Sequence, residues 1–198
     1  SLFLHSLVSF GRLCIGFVLG SGTGILLGVF LYRSTFNYFL FTPAFQALRS
    51  IPPFATIPFF LLWFGFSEFG KYLIIITGIA FNLAIATYQI LDNAPEKYTT
   101  FFESLNSKPN HHILKFALPY ACGELLPTVR FSLSLAIGLT VVAEMMGSQV
   151  GLGYLIQTAK STFSLNVVFL AAIIWGIINF ITDILIVLIW EKIIFWKR

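Results

Sequence analysis

Five stretches of the chain are apolar over nearly the length needed to cross a bilayer, and the polar residues collect between them. The first runs from about Leu7 to Tyr32 and ends at Arg33. The second covers about Asn37 to Trp63 with an interruption around Pro52 and Pro53, and the turn from Gly65 to Gly70 separates it from a third span, Tyr72 to about Leu91. A polar segment from Asp92 to Lys115 follows. The fourth span extends from about Leu118 to Met146, and the glycine-bearing stretch Gly147 to Gly153 leads into a short amphipathic piece ending near Phe163. The fifth, about Val167 to Trp190, runs into the basic pair Lys197 and Arg198.

Within the first span Gly16, Gly20, Gly24 and Gly28 recur at every fourth position, so one helix face lacks side chains. In a membrane, where packing rather than water expulsion joins helices, such a face predicts close backbone approach by a neighbour. The segment from Arg49 to Phe66 departs from the apolar pattern in another way. It holds one cation and the prolines Pro52, Pro53 and Pro58. Proline removes a backbone donor, and in lipid the freed carbonyl or a guanidinium is tolerated only where protein or a water-filled cavity satisfies it. The segment therefore predicts a discontinuous span beside a pathway, with its Arg49 end toward the cytoplasm and its Trp63 end toward the outside.

Composition agrees: 58% of the 198 residues are hydrophobic and 10% charged, with a mean hydropathy of +0.89, whereas soluble domains carry about 25% charged residues. The chain reads as an all-α integral membrane protein. A net charge of +4 does not point to nucleic acid, because the twelve Lys and Arg are dispersed along the length. Their distribution sets topology. Seven cations (Arg33, Lys97, Lys108, Lys115, Lys192, Lys197, Arg198) fall on one side against Lys71 and Lys160 on the other. The positive-inside rule then makes the polar loop and the C-terminus cytoplasmic and the N-terminus external. Cys14 and Cys122 sit in apolar surroundings without redox or metal spacing and read as buried free thiols. The chain opens on Ser1 with no signal-peptide pattern, and an N-terminal segment is expected to precede it.

The polar loop has structure of its own in prospect. Asn93, Pro95 and Glu96 suit a helix start. Tyr98, Phe101, Phe102 and Leu105 follow at i, i+3, i+4 and i+7, and Asn106 suits a left-handed end. A second short helix, about Asn110 to Phe116, would run into Leu118 and Pro119. The aromatic face either folds back on the protein's own helix ends or receives a partner.

Several motifs in fixed order resemble one family. Arg49-Ser-Ile-Pro-Pro, Leu62-Trp-Phe-Gly, Leu118-Pro119 followed eleven residues later by Arg130, Val142-Ala-Glu-Met-Met-Gly, Gly151-Leu-Gly-Tyr-Leu-Ile and Asp183 together resemble the permease subunits of binding-protein-dependent ABC importers. The closest branch moves nitrate, bicarbonate, taurine and aliphatic sulfonates, with relatives for thiamine-precursor pyrimidines. The likeness spans nearly the whole chain. It implies one transmembrane permease domain over 1–198, a cytoplasmic coupling loop at about 92–118, and one further helix before the first span seen here.

The resemblance also implies roles. The loop would dock into a groove on the ATPase subunit, and counting back from Leu118-Pro119 puts the family's glutamate at Thr100, its two alanines at Phe101 and Phe102 and its glycine at Asn106. The sequence departs at all four. Asn for Gly keeps the left-handed turn accessible. Phe for Ala adds bulk, so either the partner groove has a matching cavity or the coupling is weakened. Tyr98, Thr100, Phe101, Phe102, Leu105, Asn106, Leu118 and Pro119 form the candidate coupling element. Arg49, Ser50, Pro52, Pro53, Arg130 and Glu144 form the candidate lining of the translocation path.

Other readings of these residues stay open. Arg130 suits a carboxylate partner, a second subunit or a snorkelling position. Glu144, toward the external end of its span, and Asp183, toward the internal end of its own, read first as structural groups. His111 and His112 lack acidic or Cys neighbours and read as surface imidazoles rather than metal ligands. The implied partners are ABC ATPase subunits, an extracytoplasmic solute-binding protein, a second permease copy and membrane lipid. No cofactor and no catalytic residue are implied in this chain, ATP hydrolysis belonging to the partners, and the location implied is a bacterial-type cytoplasmic (inner) membrane. A secondary transporter or channel is the competing class, and it would show internal repeats or intramembrane ion-binding carboxylates. An intramembrane protease would need His within the spans, whereas His5, His111 and His112 lie outside their cores.

Overall fold

The computed structural model describes residues 1–95 and 118–194. Among these residues the chain forms α1 (Leu2–Tyr32), α2 (Thr35–Ser50), α3 (Pro53–Phe64), α4 (Glu68–Asp92), α5 (Leu118–Glu124), α6 (Leu126–Gly147), α7 (Leu152–Ser161) and α8 (Leu165–Ile193). Four of them (α1, α4, α6 and α8) are long and apolar enough to cross a membrane, and the bent pair α2 and α3 raises the number to five.

The glycine stripe of α1 sets the central packing. Gly16, Gly20, Gly24 and Gly28 are all buried, and a Cβ added at Gly16 would lie 2.7 Å from Ile75 Cγ2, one at Gly24 2.7 Å from the Ala80 carbonyl. Gly16 meets Ile75, Gly20 meets Ile79, Gly24 meets Leu83 and Gly28 meets Thr87. The offset is constant, so α1 and α4 run parallel, turn for turn. A parallel pair needs a return between its members, and α2 with α3 supplies it.

That return is bent by 95°. A residue before proline is disfavoured in the helical region, and here Ile51 (ψ 123°) and Pro52 (ψ 120°) are both extended before Pro53 starts α3. Two consecutive extended residues re-aim the chain. The expected discontinuity is thus a right-angled corner rather than a kink in a straight rod.

The fourth span is not continuous as the sequence suggests. It divides at Leu125 into α5 and α6, because Pro127 has no N–H to offer the carbonyl four residues back. Leu125 itself keeps helical angles, and the bonds Leu125 N–H to Ala121 O and Val129 N–H to Leu125 O, each 2.9 Å, carry the direction across the break.

The main core gathers Leu13 of α1, Ile57 of α3, Ile74, Ile75 and Ile79 of α4, Leu133, Ala136 and Leu139 of α6 and Leu152 of α7. A second cluster of Leu83, Leu91, Ala121, Leu125 and Val129 joins α4, α5 and α6 at their other end. The helix α8 stands at the periphery and exposes Phe169, Ile173, Phe180, Leu185 and Leu188. Apolar side chains on the outside of a membrane protein face a medium as apolar as themselves, so this surface carries no hydrophobic penalty.

Candidate functional site

The corner between α2 and α3 opens a groove of about 690 Å³. Its walls are Arg49 and Ile51 at the corner, Pro53, Thr56, Phe59 and Phe60 of α3, Thr77, Gly78, Phe81 and Asn82 of α4, and Phe131 and Leu135 of α6. Phenyl rings dominate, with one cation at the rim. Arg49 lies in the last turn of α2, where the helix dipole favours a positive charge. Among the described residues it has no ion-pair partner. A guanidinium presents a planar fork of donors suited to oxyanions, so the groove can hold a negatively charged head at Arg49 with a body against the rings.

The other path candidates divide. Pro53 lines the groove with Arg49, while Pro52 forms the corner behind it. The Ser50 hydroxyl donates to the Gln46 carbonyl at 2.7 Å and is turned back on its own helix. Arg130 lines a separate hollow of about 460 Å³ with Pro127, Phe131, Ser134, Gly176, Asn179, Phe180 and Asp183. There it makes a two-pronged bond to Asp183, Nε to Oδ1 and Nη2 to Oδ2, each 2.7 Å.

Glu144 lines neither hollow. It is wholly buried and accepts from Arg12 Nη1 at 2.8 Å, from Ser9 Oγ at 2.7 Å and from the Gly153 N–H at 2.9 Å. Arg12 also donates to both oxygens of Glu68 at 2.7 Å and to the Val150 carbonyl at 2.7 Å. Lys71 completes the group with a 2.9 Å bond to Glu68. Two buried cations and two carboxylates thereby cancel, which is how charges persist at low dielectric. The cluster joins α1, α4 and α6 to the loop before α7.

That loop explains the two glycines of the Gly151-Leu-Gly153 motif. Gly151 has φ 139°, where a side chain is strained, and an added Cβ would lie 2.5 Å from the Glu144 carboxylate. Its N–H donates to His5 Nδ1 at 3.0 Å. The His5 ring stacks on Tyr154 with centroids 6.2 Å apart.

Sequence reasoning missed this cluster. Arg12 stands inside the first apolar run, and Glu68 falls in the Gly65 to Gly70 turn. The usable signal is that a cation among apolar residues of a span needs a counter-charge, with Glu68 at the start of α4 and Glu144 in the last turn of α6, both at the Arg12 end of the bundle, as candidates. Of the coupling residues, Leu118 and Pro119 open α5, whereas Tyr98, Thr100, Phe101, Phe102, Leu105 and Asn106 lie outside the described residues, as do His111 and His112. No group of three metal-ligating side chains occurs among the described residues.

Comparison with known proteins agrees with this architecture. Residues 20–194 match the model of the family described as binding-protein-dependent transport system inner membrane component. The chain is 36% identical over its whole length to a putative aliphatic sulfonates transport permease protein, SsuC, of Bacillus subtilis, covering 71% of that protein. It is 28% identical over 98% of its length to the nitrate import permease protein NrtB of Leptolyngbya laminosa, covering 69% of it. An inward-facing structure of the MetNI methionine ABC transporter shares the fold, with a TM-score of 0.76 at 19% identity over 93% of this chain and 94% of that one. A parallel glycine-packed helix pair, a cornered return and a family match over nearly all of the described helices lead to one assignment: the chain belongs to the binding-protein-dependent transport system inner membrane components, as the permease subunit of an ABC importer.

Proposed function

We propose that this permease forms the translocation pathway for a small anion or organic anion, with nitrate, bicarbonate, sulfonates and taurine as the solute class. The observation that carries the reading is Arg49: a guanidinium without an ion-pair partner among the described residues, at the mouth of a groove of about 690 Å³ and at the 95° corner of a membrane helix pair. Pro52 and Pro53 hold the corner, and Ser50 ends α2 beside it with its hydroxyl bonded back to the Gln46 carbonyl. The likeness to a sulfonate permease at 36% identity and to a nitrate permease at 28% supports the same class.

The partners follow from the family. A second copy of the chain completes the pathway, an extracytoplasmic binding protein delivers the solute, and two ATPase subunits drive alternation through the 92–118 loop. Nucleotide binding draws the ATPases together and biases a two-state membrane dimer, and hydrolysis resets it. The chain itself performs no chemistry on the solute.

Uptake by proteoliposomes holding the permease with its ATPase and binding protein tests the reading, with radiolabelled ethanesulfonate and nitrate as probes. Uptake of at least one anion is expected to require ATP, and Arg49→Gln is expected to lower it about tenfold, the effect of one lost charge-assisted contact. Uptake that persists without ATP overturns the importer mechanism. Unchanged uptake in Arg49→Gln removes the groove from the pathway.

A further inference from the structure

The hollow around Arg130 and Asp183 poses a problem that the Arg49 groove does not. These two side chains are 49% and 30% exposed, yet they lie within membrane-spanning helices. Asp183 is ten residues from the end of α8, about 15 Å along its axis. Charged groups at such depth face a bundle interior or a water-filled cavity rather than lipid. Ser134 and Asn179 line the hollow with side-chain donors that have no internal partner among the described residues. Gly176 keeps its floor open, since nothing lies within 4 Å of an added Cβ there.

Phe131 lines both this hollow and the Arg49 groove. The two spaces are therefore neighbours around a single ring on α6, one with a cation that has no ion-pair partner among the described residues and one with a cation already paired. We infer that the Arg130 hollow is a second, hydrated anion station next to the Arg49 groove, and that Asp183 is its built-in counter-ion, displaced from Arg130 by the passing oxyanion. This rests on the anion-importer reading. The Arg130 fork, held by Asp183 through Nε and Nη2, fits the two oxygens of a sulfonate, nitrate or carboxylate equally well. A station whose cation returns to its own carboxylate releases the anion, whereas a bare guanidinium would hold it. Ser134 and Asn179 supply hydrogen bonds during the exchange.

The test uses the permease in lipid nanodiscs with Cys14 and Cys122 replaced by Ala and single cysteines introduced as Ser134→Cys, Asn179→Cys or Leu185→Cys. Leu185 is exposed on the same helix, about 200° around it from Asp183. Membrane-impermeant methanethiosulfonates, one bearing a sulfonate and one a quaternary ammonium, are the probes. Ser134→Cys and Asn179→Cys are expected to react at least tenfold faster than Leu185→Cys. Adding Asp183→Asn is expected to raise the ratio of anionic to cationic reagent rates at least fivefold, and adding Arg130→Gln to lower it. With Asp183→Asn present, millimolar ethanesulfonate or nitrate is expected to slow labelling at Ser134→Cys or Asn179→Cys threefold, and not when Arg130→Gln is present.

Labelling at the Leu185→Cys rate in both positions means a lipid-filled hollow and overturns the inference. Fast labelling that neither anion slows in the Asp183→Asn background overturns it as well, by showing water without an anion site. Slowing that depends on Arg130, found in a permease that shows no ATP-driven uptake, would sink the importer reading and leave the station standing. Each variant is first shown to elute as the parent does from size exclusion.

Discussion

Arg12 and Glu144 stand 132 positions apart in the chain and meet in a 2.8 Å ion pair whose side chains are 7% and 0% exposed. The pair ties the first half of α1 to the last turn of α6. Removing one member of a buried pair leaves the other charge uncompensated, at a cost of about 3–5 kcal/mol. Glu144→Gln and Arg12→Gln are each expected to lower the thermal midpoint of the detergent-solubilised protein sharply, and the double variant to lose less than the sum of the two. Strict additivity in this cycle would mean that the pair contributes no coupling. Glu68 still holds Lys71 in these variants, so part of the cluster persists.

A steric prediction concerns the stripe of α1. Gly24→Leu would press a side chain into Ala80 and Leu83, whereas Gly22→Leu, with nothing within 4 Å of its added Cβ, faces outward. Overpacking costs about 1–3 kcal/mol where neighbours can yield and more where the obstacle is backbone. The yield of folded protein in fluorescence-detected size exclusion should collapse for Gly24→Leu and stay at the parental level for Gly22→Leu. Equal behaviour of the two would show that α1 and α4 do not pack at this register.

The proposed coupling role of the 92–118 loop gives a third. Phe101→Asp with Phe102→Asp is expected to abolish co-purification of the ATPase while membrane insertion remains intact. Retention of the ATPase would mean that Phe101 and Phe102 take no part in docking.

How much of this was legible beforehand varies with the range of the interaction. The spans follow from uninterrupted apolar runs, and the approach of a neighbour to α1 follows from glycine at every fourth position, since both are local patterns. Pro52 and Pro53 announce the corner for the same reason. Its 95° angle does not follow, because it depends on Ile51 and Pro52 both being extended. The break at Leu125 was hidden by the apolar run around Pro127. A carboxylate partner for Arg130 is one of the readings the sequence allows, but that it is Asp183, 53 positions away, does not follow, because nothing local pairs them. Glu144 reads from the sequence first as a structural group and also as a candidate for the path, but its partners do not follow, since they come from α1 and from a glycine loop whose geometry no periodicity reveals.

The length of α1 bears on where the Arg12 cluster sits. From Arg12 to Arg33 the helix and its cap advance 21 residues, about 31 Å at 1.5 Å per residue. That equals the hydrocarbon thickness of a typical bilayer, roughly 30 Å. If Arg33 lies at one boundary, Arg12 comes close to the other, so the charges of α1 stand near its two membrane surfaces. The ion cluster that joins α1, α4 and α6 then lies at the depth of the headgroups rather than at the centre of the bilayer.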